Sequence, residues 1–464
     1  MAAGHRLRLP IAGLSRRVRT QGDRDSRAHR RKSVVRSGEI KALTGLRIIA
    51  AVWVVLFHFR PLLRLASPAF SDALAPVLDR GAQGVDLFFI LSGFVLTWNY
   101  LERMGESFSP RATLHFLWLR LARVWPIYLV TLHLALLWVI FTLHVGHVPT
   151  EDLSRLTATS YVRQVLLVQL WFEPFFDGSS WDGPAWSISA EWLAYLLFGG
   201  LILVVYRMMR ATSARGLAVL AIVASLPPLL LLLATGQFYT PWSWLPRIVM
   251  QFTAGALACA SVRKLQAGGS ARLDGGEAKL GPPHGLSERG RRAAGYCSAL
   301  LIAATVGILY YFDAHPISGL YDSGGLVDVL FVPLVMALAL GTGSLPVLLS
   351  TRLMVYGGQI SFCLYMVHEL VHTAWNWAAI QFEIVLDEGA TAAKWLVCGL
   401  LAAATLMSVL LFHGVEEPGR RWMRRMVGAR AETARVTPLE HPLAVESVDE
   451  ILDERTAAVP VSVP

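Results

Sequence analysis

Ten stretches of mostly apolar residues, each close to the length that crosses a lipid bilayer, occupy most of this 464-residue chain. A membrane-spanning helix needs about 20 such residues, and lipid offers no partners to an open backbone, so helices are favoured. The sequence therefore predicts an all-α membrane protein, a bundle of about ten transmembrane helices. The predicted spans are 43–62, 82–101, 124–143, 186–206, 217–234, 247–262, 293–312, 326–340, 353–375 and 395–412.

Charge supports this class and indicates an orientation. Charged residues make up only 16% of the chain, whereas soluble proteins carry roughly 25%. The net charge is +9, but Lys and Arg concentrate in alternate loops while the remaining loops lean acidic. This pattern fits the positive-inside rule and argues against a nucleic-acid surface. We expect a multi-pass protein of the cell (plasma or inner) membrane with both termini cytoplasmic.

Three regions are predicted along the chain. Residues 1–38 are predicted to form a disordered, Arg-rich cytoplasmic tail, which could contact anionic lipid headgroups or equally be a solvated tail without a role. Residues 427–464 are predicted to form a second disordered tail. Residues 39–426 form the transmembrane domain. Within it, segment 162–176 is apolar but short and is broken by Glu173 and Pro174, so we expect an interfacial or re-entrant piece.

Ionisable residues inside apolar spans are costly, and they usually face an internal cavity. Arg47 and His58 in the first span are eleven residues apart, which is close to three helical turns and roughly 16 Å along the axis. The two side chains therefore share one helix face. Arg47 lies toward the inner end of the span and His58 toward the outer end. Alone, His58 could equally be a core histidine bonded to a backbone carbonyl.

Three further ionisable residues are predicted in the outer half of the bundle. They are Asp86 in the second span, Glu191 in the fourth and His368 in the ninth. Together with His58 they form the predicted catalytic set. The sequence predicts a similar depth for all of them but not their lateral arrangement. Asp86 has an alternative interpretation, because an acid at a helix N-terminus also complements the helix dipole.

A second group of residues is predicted to bind substrate. Arg120 and Arg123 are three residues apart and share a helix face. Guanidinium groups suit phosphate oxygens, so we add Arg47 to this pair. Ser92 completes the set, although with Gly93 it could simply allow close helix packing. The arginine pair could also be ordinary positive-inside residues. The four cysteines have no metal-like spacing, and we expect no metal ion.

Together these motifs resemble the acyltransferase-3 family of polytopic membrane acyltransferases, which modify glycans, lipids and some antibiotics. The resemblance runs from Glu39 to about Trp422. Two departures are visible: Phe362 and Cys363 stand where the family more often has tyrosine and serine, and no fused extracytoplasmic domain is apparent. The matching segments are Arg47 with His58, Phe88 to Gly93, Arg120 with Arg123, Trp186 to Trp192, and Glu417-Pro418 with Arg420 and Arg421.

The resemblance implies an integral membrane O-acyltransferase with no tightly bound cofactor. Acyl-CoA, most often acetyl-CoA, would be the co-substrate and a hydroxyl-bearing glycan, glycolipid, lipid or natural product the acceptor. The three arginines would hold the phosphates of the donor. His58 would act as general base or carry a transient acyl group, with Asp86 or Glu191 tuning it. The domain would act alone or with a separate extracytoplasmic partner.

A different class also fits the buried charges. In a transporter or a flippase of a glycan or lipid, intramembrane Arg, His, Asp and Glu would line a substrate or proton path. The sequence shows no internal repeat of the kind that many transporters carry. Release of free CoA by the purified protein would discriminate between the two classes.

Overall fold

The computed structural model describes residues 38–145, 153–175, 181–267 and 285–433, and these residues contain helices and no strand. The predicted all-α fold is confirmed, whereas the two predicted tails lie almost entirely outside the described residues. In chain order the α-helices are α1 (Lys41–Ala66), α2 (Pro68–Leu78), α3 (Gln83–Met104), α4 (Pro110–Val145), α5 (Ala158–Val165), α6 (Trp186–Ala211), α7 (Ala214–Ala224), α8 (Leu226–Thr235), α9 (Trp244–Ala267), α10 (Glu288–Ala314), α11 (Asp328–Leu340), α12 (Ser344–Leu349), α13 (Arg352–Gln381), α14 (Thr391–Leu411) and α15 (Glu417–Thr433).

Helices lie at all ten predicted spans. Eight helical segments among the described residues are long and apolar enough to cross a membrane. The two other predicted spans correspond to the shorter apolar segment Gly324–Leu340 and to α13, which has 30 residues and carries the polar run His368, Glu369 and His372. The fifth span is divided into α7 and α8 at Ser225, since Pro227 and Pro228 cannot continue the preceding helix.

Helices α1 and α13 form a parallel pair at the centre of the bundle. Near one end, Gly358 lies so close to α1 that a Cβ on it would be 1.8 Å from the carbonyl oxygen of Thr44. Further along both helices, the His58 and His368 rings meet with centroids 4.8 Å apart. Glycine at position 358 thus permits the close backbone approach that brings the two histidines together.

Helices α3 and α9 form a second close pair beside α1. A Cβ on Gly93 would be 1.9 Å from the carbonyl oxygen of Phe252, so this glycine serves close helix packing. At the end of the pair where both helices begin, Arg247 on α9 contacts Asp86 on α3. The pair thus carries an ion pair at one end and a glycine contact near its middle.

Segment 158–175 is a short helix followed by non-helical turns, as its polar interruptions predict. Its irregular backbone bonds to protein side chains. The Tyr128 hydroxyl donates to the Gln164 carbonyl (2.8 Å), and the Leu170 amide donates to the Ser189 hydroxyl (3.2 Å). Such backbone is tolerated within a membrane protein where it packs against protein rather than lipid. The segment thereby supports the N-terminal turns of α6.

The last membrane helix contains a turn of π-helix. Residues Phe412–Glu416 adopt this wider turn between α14 and α15, directly before Pro418. Proline removes a backbone donor from a helix, and π-turns are frequent at functional sites. Glu416 in the π-turn is fully buried and pairs with Arg123 of α4.

Candidate active site

The structure brings together two of the four predicted catalytic residues, His58 and His368. His368 Nε2 lies 3.3 Å from His58 Nδ1. His368 is fully buried, whereas His58 is partly exposed within the bundle. The neighbouring Glu369 was not predicted as a site residue, yet its carboxylate lies close to both imidazole rings. One nitrogen from each ring and one oxygen of Glu369 all lie within 4.8 Å of one another.

Backbone carbonyls fix the hydrogen positions on both rings. His58 Nδ1 lies 2.9 Å from the Val54 carbonyl oxygen, and His368 Nδ1 lies 2.6 Å from that of Tyr365. A carbonyl oxygen can only accept, so each Nδ1 carries the hydrogen and each neutral ring has an unprotonated Nε2. The one hydrogen of His58 Nδ1 has two acceptors beside it, the Val54 carbonyl at 2.9 Å and Nε2 of His368 at 3.3 Å. His58 is left with a free lone pair on Nε2, which is what a general base requires.

His58 and His368 line a cavity of about 610 Å³, here called the histidine cavity. This volume lies within the range of small-molecule binding sites. Aromatic rings and a few polar groups form most of its wall, and none of the described lining residues is Lys or Arg. Its aromatic lining residues are Phe57, Trp138, Trp181, Trp186, Tyr239, Tyr365 and Trp377.

Two carboxylic acids, Asp182 and Glu369, lie in the wall of the histidine cavity. Asp182 precedes the spanning segment that begins at Gly183 and accepts a hydrogen bond from Thr131 Oγ1 (2.8 Å). Burial raises the pKa of the Asp182 carboxyl to about 7, and the bond from Thr131 opposes that shift. Glu369 Oε1 lies 3.6 Å from His372 Nδ1. The acids give the histidine cavity a negative character that rises with pH.

Asp86 lies behind the wall of the histidine cavity rather than against either imidazole. Its oxygens accept from Arg247 Nε (2.9 Å) and Nη2 (2.6 Å), and both side chains are buried. The Arg247 guanidinium also lies 5.1 Å from the ring centre of Tyr239 and 5.4 Å from that of Trp186, two residues of the cavity wall. Asp86 thus contacts the wall of the histidine cavity through Arg247, which lies against those rings.

Glu191 lies in a different place from the histidines as well. It accepts a hydrogen bond from Ser92, and both residues line a small cavity of about 50 Å³ together with Arg47. The charges of Glu191 and Arg47 interact electrostatically. Glu191 is therefore grouped with two predicted substrate-binding residues, Arg47 and Ser92, and is absent from the wall of the histidine cavity.

The three predicted substrate-binding arginines lie together with two more. Arg47, Arg120 and Arg123 interact electrostatically with one another, Arg123 also with Arg420, and Arg424 with Arg120 and Arg420. The Nε atoms of Arg47 and Arg120 are buried and have no hydrogen-bond partner within the described part of the chain. We call these five residues the arginine cluster. Excess positive charge with unused donors is the chemistry of an anion site.

The histidine cavity is separated from the small cavity beside Arg47 by the wall residues that both cavities share, here called the partition. Val85 and Tyr365 line both the histidine cavity and the small cavity beside Arg47. The Tyr365 hydroxyl lies 2.8 Å from the Ser187 hydroxyl and donates to the Pro184 carbonyl (3.0 Å). The small cavity, of about 50 Å³, is far smaller than the histidine cavity of about 610 Å³. The path between the two regions is therefore narrow in this structure.

Comparison with known proteins shows the family to which the chain belongs. The model of the acyltransferase-3 family, described as an acyltransferase domain, matches residues 40–413. The chain is 30% identical over 178 residues to acyltransferase MdmB of Streptomyces mycarofaciens, covering 38% of this chain and 42% of MdmB. It is 32% identical over 201 residues to protein 2 in the picA locus of Rhizobium radiobacter, covering 42% of this chain and 94% of that relative. No solved structure matches the chain.

The family match spans nearly the whole described domain, including both histidines and the first three arginines of the cluster. The MdmB match spans less than half of that relative's length. Membership favours the acyltransferase over the transporter or flippase that the buried charges also allowed. The chain belongs to the acyltransferase-3 family and carries that family's acyltransferase domain in a bundle of membrane-spanning helices.

Proposed function

We propose that this protein transfers an acyl group, with acetyl as the expected case, from acyl-CoA to a hydroxyl of a glycan, glycolipid, lipid or natural product. The observation that carries the proposal is the His58 imidazole, whose Nδ1 is committed to the Val54 carbonyl and whose ring lines a cavity large enough for an acceptor. MdmB, a relative over part of the chain, is named an acyltransferase.

The arginine cluster supports the choice of donor. Coenzyme A carries phosphates, and guanidinium groups bind phosphate oxygens through charge-assisted hydrogen bonds. Arg123 is neutralised in part by Glu416, so Arg47 and Arg120 are the residues whose unpartnered Nε atoms remain available. The proposed donor site therefore centres on Arg47 and Arg120. Ser92 and Glu191 lie on the way from this site to the partition.

The proposed reaction takes place at the histidine cavity. His58 Nε2 takes the proton of the acceptor hydroxyl as the oxygen attacks the thioester carbonyl carbon. The carbon–sulfur bond then breaks, and the departing CoA thiolate receives the proton from His58, which yields an ester and free CoA. The Val54 carbonyl and His368 Nε2, the two acceptors beside His58 Nδ1, stabilise the imidazolium. Base catalysis of this kind is typically worth 10²–10⁴-fold in rate.

The narrow partition sets a condition on this mechanism. The arm of the donor must pass from the arginine cluster to the histidine cavity, and the small cavity beside Arg47 has a volume of only about 50 Å³. We therefore expect Tyr365 or Phe88, which face each other with ring centroids 6.4 Å apart, to move when the donor binds. A transient acyl group on His58 is the alternative to direct transfer, and the same passage serves both.

The location proposed for the enzyme is the cell membrane, with the arginine cluster toward the cytosol, where acyl-CoA is made. The basic loops at the end of the bundle where α1 begins support this orientation. The histidine cavity would then open toward the opposite side, so that a cytosolic donor and an acceptor across the membrane meet at His58.

A direct test uses purified full-length protein in detergent with acetyl-CoA and a panel of glycan, lipid and natural-product acceptors from a deletion strain. Release of free CoA that depends on an acceptor, together with an acylated product identified by mass spectrometry, is the expected result. CoA release that is equal in wild type and His58→Ala would contradict the assignment. The matched control is His413→Ala, a partly exposed histidine at the π-turn that lies outside both regions.

A further inference from the structure

The side chains around His58 have a second chemical capacity that the transfer mechanism does not use. His58, His368 and Glu369 each offer one ligand atom, and these atoms lie within 4.8 Å of one another. Two imidazoles and one carboxylate are a ligand set that binds zinc in catalytic sites, with a fourth position left open. A local sequence motif could not indicate this set, because His58 lies 310 residues before His368.

The hydrogen bonds of both rings match those of metal-binding histidines. Such histidines donate the hydrogen of the second ring nitrogen to a carbonyl or carboxylate, which fixes the tautomer and orients the ring. His58 and His368 both donate from Nδ1 to a backbone carbonyl. Neither Nε2 atom therefore carries a hydrogen of its own, and Nε2 of His368 would exchange its contact with His58 Nδ1 for the metal. Glu369 Oε2 is buried and has no hydrogen-bond partner among the residues that the structure describes.

Charge and space favour a cation at this position. The histidine cavity contains Asp182 and Glu369, and no Lys or Arg is among the described residues of its wall. A divalent ion bound to three protein ligands also needs room for a fourth ligand, and the cavity of about 610 Å³ provides it. Zinc–nitrogen bonds of about 2.0–2.1 Å require the ligands to close in by roughly 1 Å, a movement within reach of side-chain rotation.

We propose that the histidine cavity binds one Zn²⁺ ion through His58, His368 and Glu369, and that the bound ion inhibits acyl transfer. Inhibition follows because a lone pair on His58 that coordinates zinc cannot take the proton of the acceptor hydroxyl. Binding itself rests on the geometry of the three side chains. The inhibitory effect rests on the proposed function, in which His58 is the base.

The test measures zinc binding and activity separately. Purified full-length protein is stripped with a chelator, and Zn²⁺ binding is measured by calorimetry and by metal analysis of the protein after gel filtration. Wild type is expected to bind one Zn²⁺ per chain, and His368→Ala and Glu369→Gln to bind it at least tenfold more weakly. His413→Ala, which removes a partly exposed histidine at the π-turn, is expected to bind as wild type does.

The outcomes separate the two ideas. Absence of stoichiometric binding, or equal binding by wild type and Glu369→Gln, would overturn the zinc site. Binding as predicted with unchanged transfer at saturating Zn²⁺ would leave the site in place and refute His58 as the base. Loss of activity on chelation, restored by Zn²⁺, would overturn the inhibitory role. Comparing elution profiles and thermal unfolding of all variants shows which of them are folded.

Discussion

The histidine cavity and the arginine cluster are built from neighbouring stretches of the same helices, yet their electrostatics are opposite. The cluster holds five arginines against Glu191 and Glu416, whereas the described wall of the cavity holds two acids, three histidines and no Lys or Arg. A helix such as α1 contributes Arg47 to one region and His58 to the other. Under the proposed function, the contrast is a division of work in which one region holds an anion and the other handles a proton.

The largest effect is expected at the histidine cavity itself. Replacement His58→Ala should lower the rate of transfer by about 10²–10⁴-fold, because the base is lost. The apparent KM for acyl-CoA should stay close to its wild-type value, since the arginine cluster is untouched. Initial rates of CoA release at varied donor concentration provide the measurement. A variant whose KM rises with kcat unchanged would show that the two regions do not divide the work as described.

The second-largest effect is expected on thermal stability, at the buried ion pair of Asp86 and Arg247. Asp86→Ala leaves Arg247 buried without its carboxylate, and removing one partner of such a pair costs about 3–5 kcal/mol. We expect a clear fall in thermal stability, measured in detergent by tryptophan fluorescence. The double replacement Asp86→Leu with Arg247→Met should recover most of the loss. If Asp86→Ala instead keeps full stability but loses transfer, Asp86 acts on catalysis as the sequence predicted.

A smaller effect is expected at the donor site. Arg120→Ala should raise the apparent KM for acyl-CoA about tenfold, because a charge-assisted hydrogen bond to phosphate contributes about 1.5–3 kcal/mol. Arg120 is preferred to Arg123, whose removal would leave Glu416 buried and unpaired. Arg111→Ala, an exposed arginine on the same helix α4, is the matched control. Equal donor KM values in both variants would argue against a phosphate role.

A still smaller effect, on the hydrolysis of acyl-CoA, is expected at Tyr365 in the partition. Tyr365→Phe removes the hydroxyl that bonds to Ser187 and to the Pro184 carbonyl, so the ring should move more freely. We expect a modest increase in acyl-CoA hydrolysis without acceptor, as water reaches the thioester more easily. CoA release in acceptor-free buffer measures it, and Tyr356→Phe serves as the control. Unchanged hydrolysis would mean that this hydroxyl does not restrain the partition.

The smallest effect tests the negative character of the histidine cavity. The pKa of Asp182 is raised to about 7 by burial, so its charged form destabilises the fold relative to the unfolded chain. This cost is absent below the unfolded pKa near 4, grows as pH rises toward 7, and is then constant. Asp182→Asn should therefore melt higher than wild type above pH 7 and at a similar temperature near pH 4. Melting curves are measured for both proteins across this range. A difference in melting temperature that stays the same at every pH would contradict the raised pKa of Asp182.

Much of the fold could be predicted because long hydrophobic runs directly indicate membrane-spanning helices. All ten predicted spans contain a helix, and the broken segment after Tyr161 does end in irregular turns. The lateral arrangement could not be predicted, since it depends on which faces pack. Sequence placed Asp86 and Glu191 at the depth of His58, but Asp86 pairs with Arg247 and Glu191 lies with Ser92 and Arg47.

Three residues in or beside the two regions, Arg247, Glu369 and Glu416, were not predicted, and the sequence indicates them to different degrees. Arg247 opens a predicted span, so its buried charge could have been noticed as a partner for Asp86. Glu369 follows His368 directly, and the pair could have been considered together. Glu416 was hidden, because Glu417 beside it belongs to the recognisable Glu-Pro motif and only the π-turn shows which acid points to Arg123. Local patterns identify candidates, whereas helix packing decides their partners.

The parallel pairing of α1 with α13 has a consequence for biogenesis. His58 is synthesised 310 residues before its neighbour His368. A truncated translation product that ends before α13 would already carry His58 and all the residues of α3 and α4, yet no competent reaction centre. Under the proposed function, transfer therefore requires the insertion of α13, and partial chains left by stalled synthesis do not consume acyl-CoA.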